Sequence, residues 1–197
     1  MRIGILSVQG DIYENKTATK SALKEMDKHG EVVQAKTAEE IKKVDALIIP
    51  GGESTTIGRL CQENGSFDVI KQRIDSGMPV LGICAGLVLL SSTVSDRVTG
   101  KTEQPLLGAL DVSLERNSFG RQIRSFEADI SLGAIGIPRF NGVFIRAPSI
   151  SKAGDVEVLA KLGEKIVAVK KDKIMATAFH PELAGDLSVH KHFIESI

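Results

Sequence analysis

The sequence has 197 residues and a mass of 21.1 kDa, and we interpret residues 1–197 as a single domain. Hydrophobic residues make up 42% and charged residues 25% of the chain, which excludes wholesale disorder. The 25 Lys and Arg residues balance the 25 Asp and Glu residues, aromatic residues are only 4%, and Trp is absent. Neither a strongly basic surface nor a base-stacking platform for nucleic acid is therefore expected.

The apolar N-terminal run is interrupted by Asp11, which favours a core strand over a signal peptide, and no apolar stretch is long enough to span a membrane. The two cysteines, Cys61 and Cys84, are too few for a disulfide framework. We interpret both as reduced thiols of a cytoplasmic protein.

Short apolar segments alternate with amphipathic segments in the first half of the chain. Runs of Ile, Val and Leu predict strands that are covered on both faces, as in a parallel sheet, at residues 3–8, 32–35, 46–49 and 80–83. Helical spacing between these runs predicts helices that end near Gly30 and at Gly77. The alternation predicts an α/β fold of three layers, in which an open and mostly parallel sheet is covered by helices on both faces.

The second half is rich in strand-like segments with short turns between them. The segments predicted as strands are residues 110–115, 126–132, 142–145, 156–162, 166–170 and 174–179. Residues 163–165 have the composition of a hairpin turn, so antiparallel additions to the sheet are expected in this half. A final amphipathic helix is predicted near the C-terminus, and we interpret His190 and His192 as structural residues of its polar face.

The sequence Gly82-Ile83-Cys84-Ala85-Gly86 lies between a predicted strand and an apolar helical run. This pattern is typical of a nucleophile elbow with Cys in place of Ser, because the glycines leave room for a sharp turn. A position at a helix N-terminus favours the thiolate form of Cys84. The pattern predicts a nucleophile at the carboxyl edge of the sheet, and the alternative is a buried structural cysteine beside a turn.

The sequence His180-Pro181-Glu182 follows the predicted strand at residues 174–179. A nucleophilic thiol needs a base, and the base needs an acceptor that orients it. Because Pro181 disfavours a helical His180, and residues two apart in an extended segment project to the same side, Glu182 is placed to hold the imidazole. The alternative is a surface histidine before a turn.

The loop PGGESTT at residues 50–56 also follows a predicted strand. Its glycines let the backbone approach a ligand, and N–H groups before a helix can hold a phosphate or an oxyanion. The loop lacks the Lys of a P-loop and the third Gly of a dinucleotide fingerprint, so nucleotide binding is disfavoured. The alternative interpretation is a turn in which Ser or Thr caps the following helix. Because all three motifs follow strands, a parallel sheet would gather them at one edge as parts of a Cys acyl-transfer site.

These motifs resemble those of class I, or triad, glutamine amidotransferases. Over the whole chain the resemblance is closest to one family, the glutaminase subunits of pyridoxal 5′-phosphate synthase. The segments that carry it are GILSVQGD at 4–11, PGGESTT at 50–56, GICAG at 82–86, ERNSFGRQ at 115–122, SFEAD at 125–129, GVFIRAP at 142–148 and FHPEL at 179–183. Two positions depart from the family pattern, Asn15 where His is usual and Ile83 where Thr is usual.

The resemblance implies a catalytic triad of Cys84, His180 and Glu182, which hydrolyses L-glutamine to glutamate and ammonia through a γ-glutamyl thioester. It implies an oxyanion hole made by the N–H groups of Gly52 and Ala85. The glutamine-binding positions that it implies are Gly52, Glu53, Ser54, Arg116, Ile145 and Arg146. Gln9 and Gly10 are similar to the segment that helps to complete the oxyanion hole when a partner docks, and are our candidates for the partner interface.

The resemblance also implies the partner, a synthase (lyase) subunit that is a (β/α)₈ barrel in a large oligomer and uses the ammonia to build pyridoxal 5′-phosphate. We expect no cofactor, no metal, no nucleic acid and no membrane to be involved. Three alternatives stay open: an amidotransferase subunit that feeds imidazole glycerol phosphate or another acceptor, a catalytically silent interaction subunit, and a Cys hydrolase of similar fold. The complete Cys–His–Glu set disfavours the second, and ERNSFGRQ disfavours the third.

Overall fold

The computed structural model describes residues 1–96, 100–101, 103–116, 118–119 and 125–197. The predicted motif ERNSFGRQ therefore lies partly outside the described residues, at positions 117 and 120–122.

Strands and helices alternate up to residue 90, and strands dominate after it. The described strands are β1 (Arg2–Leu6), β2 (Glu31–Ala35), β3 (Ala46–Ile49), β4 (Val80–Ile83), β5 (Ser91–Asp96), β6 (Gly100–Lys101), β7 (Leu110–Arg116), β8 (Ser125–Leu132), β9 (Ile137–Ile145), β10 (Ser149–Ala153), β11 (Glu157–Leu162), β12 (Lys165–Lys171) and β13 (Ile174–Thr177). The described α-helices are α1 (Ile12–Glu25), α2 (Ala38–Ile41), α3 (Ser54–Glu63), α4 (Ser66–Asp75), α5 (Ala85–Leu90) and α6 (Ser188–Glu195). Gly133–Ile135 and Pro181–Leu183 form short 3₁₀ turns.

The first part of the main sheet is parallel, in the order β2-β1-β3-β4-β13. Every residue of β3, β4 and β13 is buried, as expected for strands that are covered on both faces. Helices α1 and α6 pack against each other, while α2 and α3 both pack against α4. The predicted parallel core of an α/β fold is confirmed.

The second part of the sheet adds antiparallel pairs through β12, β10 and β7, and β11 pairs with β12 along nearly its whole length. Leu162 pairs with Lys165, so the predicted hairpin turn is confirmed. Strands β8 and β9 form a separate antiparallel hairpin. Phe144 of this hairpin stacks on Phe126, with their ring centroids 4.8 Å apart. Phe144 also contacts Phe179, which follows β13, with a centroid distance of 5.8 Å, so the hairpin packs against the main sheet.

The interpretation of His190 as a residue of the polar face of the last helix is wrong, because His190 is completely buried in α6. It lies three and four residues before the buried Phe193 and Ile194, so all three share the face that packs towards α1. Burial lowers the pKa of His190 to about 4, and the ring is therefore neutral. Within the described ranges, no helix has the length and apolar character that crossing a membrane requires.

Candidate active site

Four neighbouring parallel strands, β1, β3, β4 and β13, end at the same edge of the sheet, and each is followed by one of the predicted motifs. Backbone hydrogen bonds tie these ends together. The N–H of Cys84 donates to the carbonyl of Thr177 at 2.7 Å, and the N–H of Asp11 donates to the carbonyl of Gly51 at 3.0 Å. The sheet order therefore brings together segments that are far apart in the sequence.

Cys84 lies on the turn between β4 and α5, with a φ of 49°. A side chain costs energy in this conformation, and strained residues of this kind cluster at functional sites. The flanking glycines are required by space: a Cβ on Gly82 would collide with Leu90, and a Cβ on Gly86 would collide with the carbonyl oxygen of Ile49. The Cys84 thiol is nearly buried, with its Sγ 3.9 Å from the carbonyl oxygen of Ile145.

His180 follows β13, and its N–H donates to the carbonyl of Val143 at 2.8 Å. Its Nδ1 lies 2.8 Å from Oε1 of Glu182, whose side chain is completely buried. From the sequence, an extended segment is expected to bring these two side chains to one side. Instead, Pro181 begins a 3₁₀ turn, and Glu182 reaches Nδ1 of His180 from within this turn.

The electrostatics around His180 favour the imidazolium. Burial acts to lower the pKa of His180, but hydrogen bonds with Asp11, Cys84 and Glu182 and the charge of the Cys84 thiolate outweigh burial and raise this pKa to about 12. His180 is therefore protonated at neutral pH and carries its positive charge beside the Cys84 side chain, where it can stabilise a thiolate during the reaction.

A cavity of about 370 Å³ opens at this edge of the sheet. All the predicted site residues line this cavity except Glu182, which contacts Nδ1 of His180 from outside the cavity. The lining residues are Gln9, Gly10, Asp11, Gly52, Glu53, Ser54, Cys84, Ala85, Val88, Arg116, Ile145, Arg146, Pro148 and His180. The structure thus brings together every side chain that the resemblance assigns to glutamine.

Two guanidinium groups lie on the cavity wall. Nη2 of Arg116 lies 3.2 Å from Oε1 of Glu53. Partial burial acts to raise the pKa of Glu53, but hydrogen bonds from Thr56 and Thr55 and the charge of Arg116 lower it, so the carboxylate stays ionised. Arg146 has a φ of 43° and is exposed, and no ion pair joins it to another described residue. Its charge is available to a carboxylate.

A model of the SNO glutamine amidotransferase family matches residues 5–197. The chain belongs to the SNO glutamine amidotransferase family. The resemblance of the motifs to those of glutamine amidotransferases is therefore confirmed.

Individual proteins are similar to this chain over nearly their full length. The chain is 59% identical to "Pyridoxal 5′-phosphate synthase subunit PdxT" of Nitrosopumilus maritimus over 100% of this chain and 96% of that protein. It is 44% identical to the protein of the same name from Saccharolobus islandicus over 100% and 99% of the two chains. A solved structure described as "Crystal structure of glutamine amidotransferase" superposes with a TM-score of 0.85 at 42% identity, covering 98% of this chain and 97% of that one, and confirms the predicted fold.

Three residues at the site of this SNO family member were not assigned a role from the sequence. Asp11 places Oδ2 3.4 Å from Nδ1 of His180, as a second carboxylate at the nitrogen that Glu182 holds. Gly51 lies so close to His180 that a Cβ would collide with the ring. Gln104 accepts hydrogen bonds from residues of two cavity walls. Asp11 and Gly51 lie within predicted motifs, whereas no local pattern marks Gln104.

Proposed function

We propose that this chain is the glutaminase subunit of a pyridoxal 5′-phosphate synthase, built as one glutamine amidotransferase domain over residues 1–197. It hydrolyses L-glutamine and delivers the ammonia to a synthase partner. The observation that carries the proposal is the convergence of Cys84, His180 and the cationic Arg116 and Arg146 on one cavity. The names of its relatives, which match over nearly their full length, support the pathway.

Substrate binding uses the polar walls of the cavity. Arg146 and Arg116 attract the α-carboxylate of L-glutamine, because a guanidinium matches a carboxylate in charge and shape. Glu53 and Ser54 supply oxygen atoms that can accept from the α-ammonium. These contacts orient the side-chain amide towards Cys84.

The first half of the reaction breaks the C–N bond. The Cys84 thiolate attacks the amide carbon, and the N–H groups of Gly52 and Ala85 donate hydrogen bonds to the oxygen on which negative charge forms. His180 donates its proton to the departing nitrogen, so ammonia leaves and a γ-glutamyl thioester forms. His180 is then neutral and is still held at Nδ1 by Glu182.

The second half breaks the C–S bond. The neutral His180 takes a proton from water, and the oxygen of that water attacks the thioester carbon. Collapse of the intermediate releases glutamate and restores the thiolate–imidazolium pair. Glu182 keeps the ring oriented through both halves, as the acidic member of a triad does.

Delivery requires a partner, because ammonia in neutral water is protonated and loses its nucleophilicity. We propose that the partner is a (β/α)₈ synthase subunit in a large oligomer, that the reaction takes place in the cytoplasm, and that the ammonia travels by an internal route. The segment with Gln9 and Gly10 is the candidate contact. Oε1 of Gln9 accepts from the N–H of Glu53 at 2.9 Å, so movement of this segment reaches the oxyanion loop directly.

A glutaminase assay with and without candidate synthase subunits tests the proposal. Glutamate formation should be weak for the free chain and should rise when the synthase of the pyridoxal 5′-phosphate pathway is added. Cys84→Ala should abolish it while leaving complex formation unchanged in sedimentation. Cys61→Ala is the matched control, since this second thiol is buried in α3, and it should keep activity. Full activity of Cys84→Ala, or activation by a different synthase only, would refute the proposal.

A further inference from the structure

The side-chain amide of Gln104 links two walls of the cavity without lining it. Gln104 lies in the segment between β6 and β7. Its Oε1 accepts hydrogen bonds from Oγ of Ser54 at 3.2 Å, from Oγ1 of Thr55 at 3.1 Å and from Nη1 of Arg116 at 3.3 Å. Ser54 and Arg116 line the cavity and come from α3 and β7, so one oxygen atom joins both elements.

The orientation of this amide is fixed by its partners. A guanidinium has donors only, so the amide atom that faces Arg116 must be the oxygen. The consequence is that Nε2 of Gln104 is buried and has no hydrogen-bond partner among the described residues. A buried donor without a partner is costly, and such groups often occur where function requires the arrangement.

This orientation determines what Ser54 offers to a ligand. A serine hydroxyl has one hydrogen, and Ser54 donates it to Gln104, so only the lone pairs of its oxygen are left for the cavity. Ser54 can therefore accept a hydrogen bond from an ammonium group, but it has no hydrogen left to donate to a carboxylate.

The same orientation fixes Arg116. Nη1 of Arg116 donates to Gln104 while Nη2 donates to Glu53 at 3.2 Å, so both terminal nitrogens of the guanidinium are held. A planar group that is held at two points keeps its plane, which places its charge in the cavity wall before a ligand arrives.

We propose that Gln104 is a positioning residue for substrate recognition, which makes Ser54 a hydrogen-bond acceptor and holds Arg116, so that the cavity selects the ammonium and carboxylate of an α-amino acid. This inference rests on the proposed function. Gln104 acts through its two partners and takes no part in activating the thiol, so substrate binding and thiol reactivity should respond differently when it is changed.

Two reagents that alkylate Cys84 separate these effects in the assembled complex. The glutamine analogue 6-diazo-5-oxo-L-norleucine must be recognised as an amino acid, whereas iodoacetamide needs only a reactive thiol. Gln104→Met keeps the length of the side chain and removes the acceptor. We expect it to slow alkylation by the analogue about tenfold and to raise KM for glutamine by a similar factor, with the iodoacetamide rate and kcat nearly unchanged.

Two further variants complete the experiment. Gln104→Glu keeps an acceptor oxygen towards Ser54 and Arg116 and should restore most of the rate with the analogue. Gln62→Met, on the exposed face of α3, makes the same substitution away from the cavity and should change neither rate.

Three results would overturn the inference. The first is a Gln104→Met variant that reacts with the analogue at the rate of the wild type. The second is an equal loss of rate with both reagents, which would show a purely structural role. The third is a wild-type complex that reacts with iodoacetamide at Cys84 but not with the analogue, which would refute the proposed function together with the inference.

Discussion

Three side chains, Asp11, Cys84 and Glu182, interact with the imidazole of His180, and together they outweigh the effect of its burial on the pKa. The two carboxylates share one ring nitrogen, with Glu182 at 2.8 Å and Asp11 at 3.4 Å. Glu182 is completely buried, while the Asp11 side chain is 40% exposed. The buried carboxylate makes the shorter contact with the ring nitrogen, and the exposed Asp11 is a second hydrogen-bond acceptor that raises the pKa of His180.

Asp11→Asn should shift the pH dependence of the reaction. In the wild type the pKa of His180 is raised from 6.5 to about 12, so the imidazolium persists as the pH rises and is lost only in the strongly alkaline range. Removing the Asp11 charge lowers this pKa, so the alkaline limb of kcat/KM should move to lower pH. The pH profile of the assembled complex measures the shift. Asp68→Asn, in the first turn of α4 and outside the cavity lining, makes the same substitution as a control and should leave the profile unchanged. An unchanged profile for Asp11→Asn would contradict this assignment.

Among the individual site residues, those that belong to short motifs could be predicted from the sequence. Cys84 and His180 could be found because a nucleophile between glycines and a histidine before proline leave local patterns. Gln104 could not be found, because its role depends on a donor from β7 and two donors from α3 that meet only in the folded chain. His190 was placed wrongly because a single polar residue between apolar positions of a helix reads as solvent-facing.

The central structural element is the strand–turn–helix unit formed by β4, Cys84 and α5. It needs its glycines for a steric reason, since the turn packs against β3 and against its own helix. Gly86 lies against the backbone of Ile49, which belongs to a fully buried strand and has little freedom to move.

Gly86→Ala should therefore be costly. A methyl group at this position forces the turn away from β3, and we expect the free energy of unfolding to fall by about 1–3 kcal/mol, as is common for overpacked cores. Denaturant titration measures the change. Gly133→Ala is a suitable control, because its nearest contact would be an ordinary 3.4 Å to Oγ of Ser131 and its backbone is not left-handed. Equal stability of the two variants would show that the turn can relax.

Element boundaries were predictable where apolar runs end sharply. Strands β3 and β4 begin and end at the predicted residues, because each is a continuous apolar run of four residues. Strand β5 was not predicted, because its sequence SSTVSD is typical of a loop and becomes a strand through its pairing with β7 and β6. The turn at Pro181–Leu183 was also missed, and it is this turn that supplies the triad carboxylate.

Over the whole molecule, the residues that line the cavity come from both halves of the chain. Cys84 and His180 follow β4 and β13, whereas Arg116 ends β7 and Arg146 follows β9. The fold class and the edge of the sheet could be predicted from alternating segments. The insertion of β13 beside β4 could not, because strand order depends on pairings between distant segments, and here this order decides whether His180 reaches Cys84.

The proposed reaction depends on a covalent γ-glutamyl intermediate at Cys84. The most direct measurement is acid quenching of the assembled complex during the first turnover of radiolabelled L-glutamine, followed by peptide mapping. We expect label on the peptide that contains Cys84, in a bond that hydroxylamine cleaves, and none on the peptide that contains Cys61. Label on a different residue, or a first turnover that produces glutamate while the Cys84 peptide stays unlabelled, would contradict it.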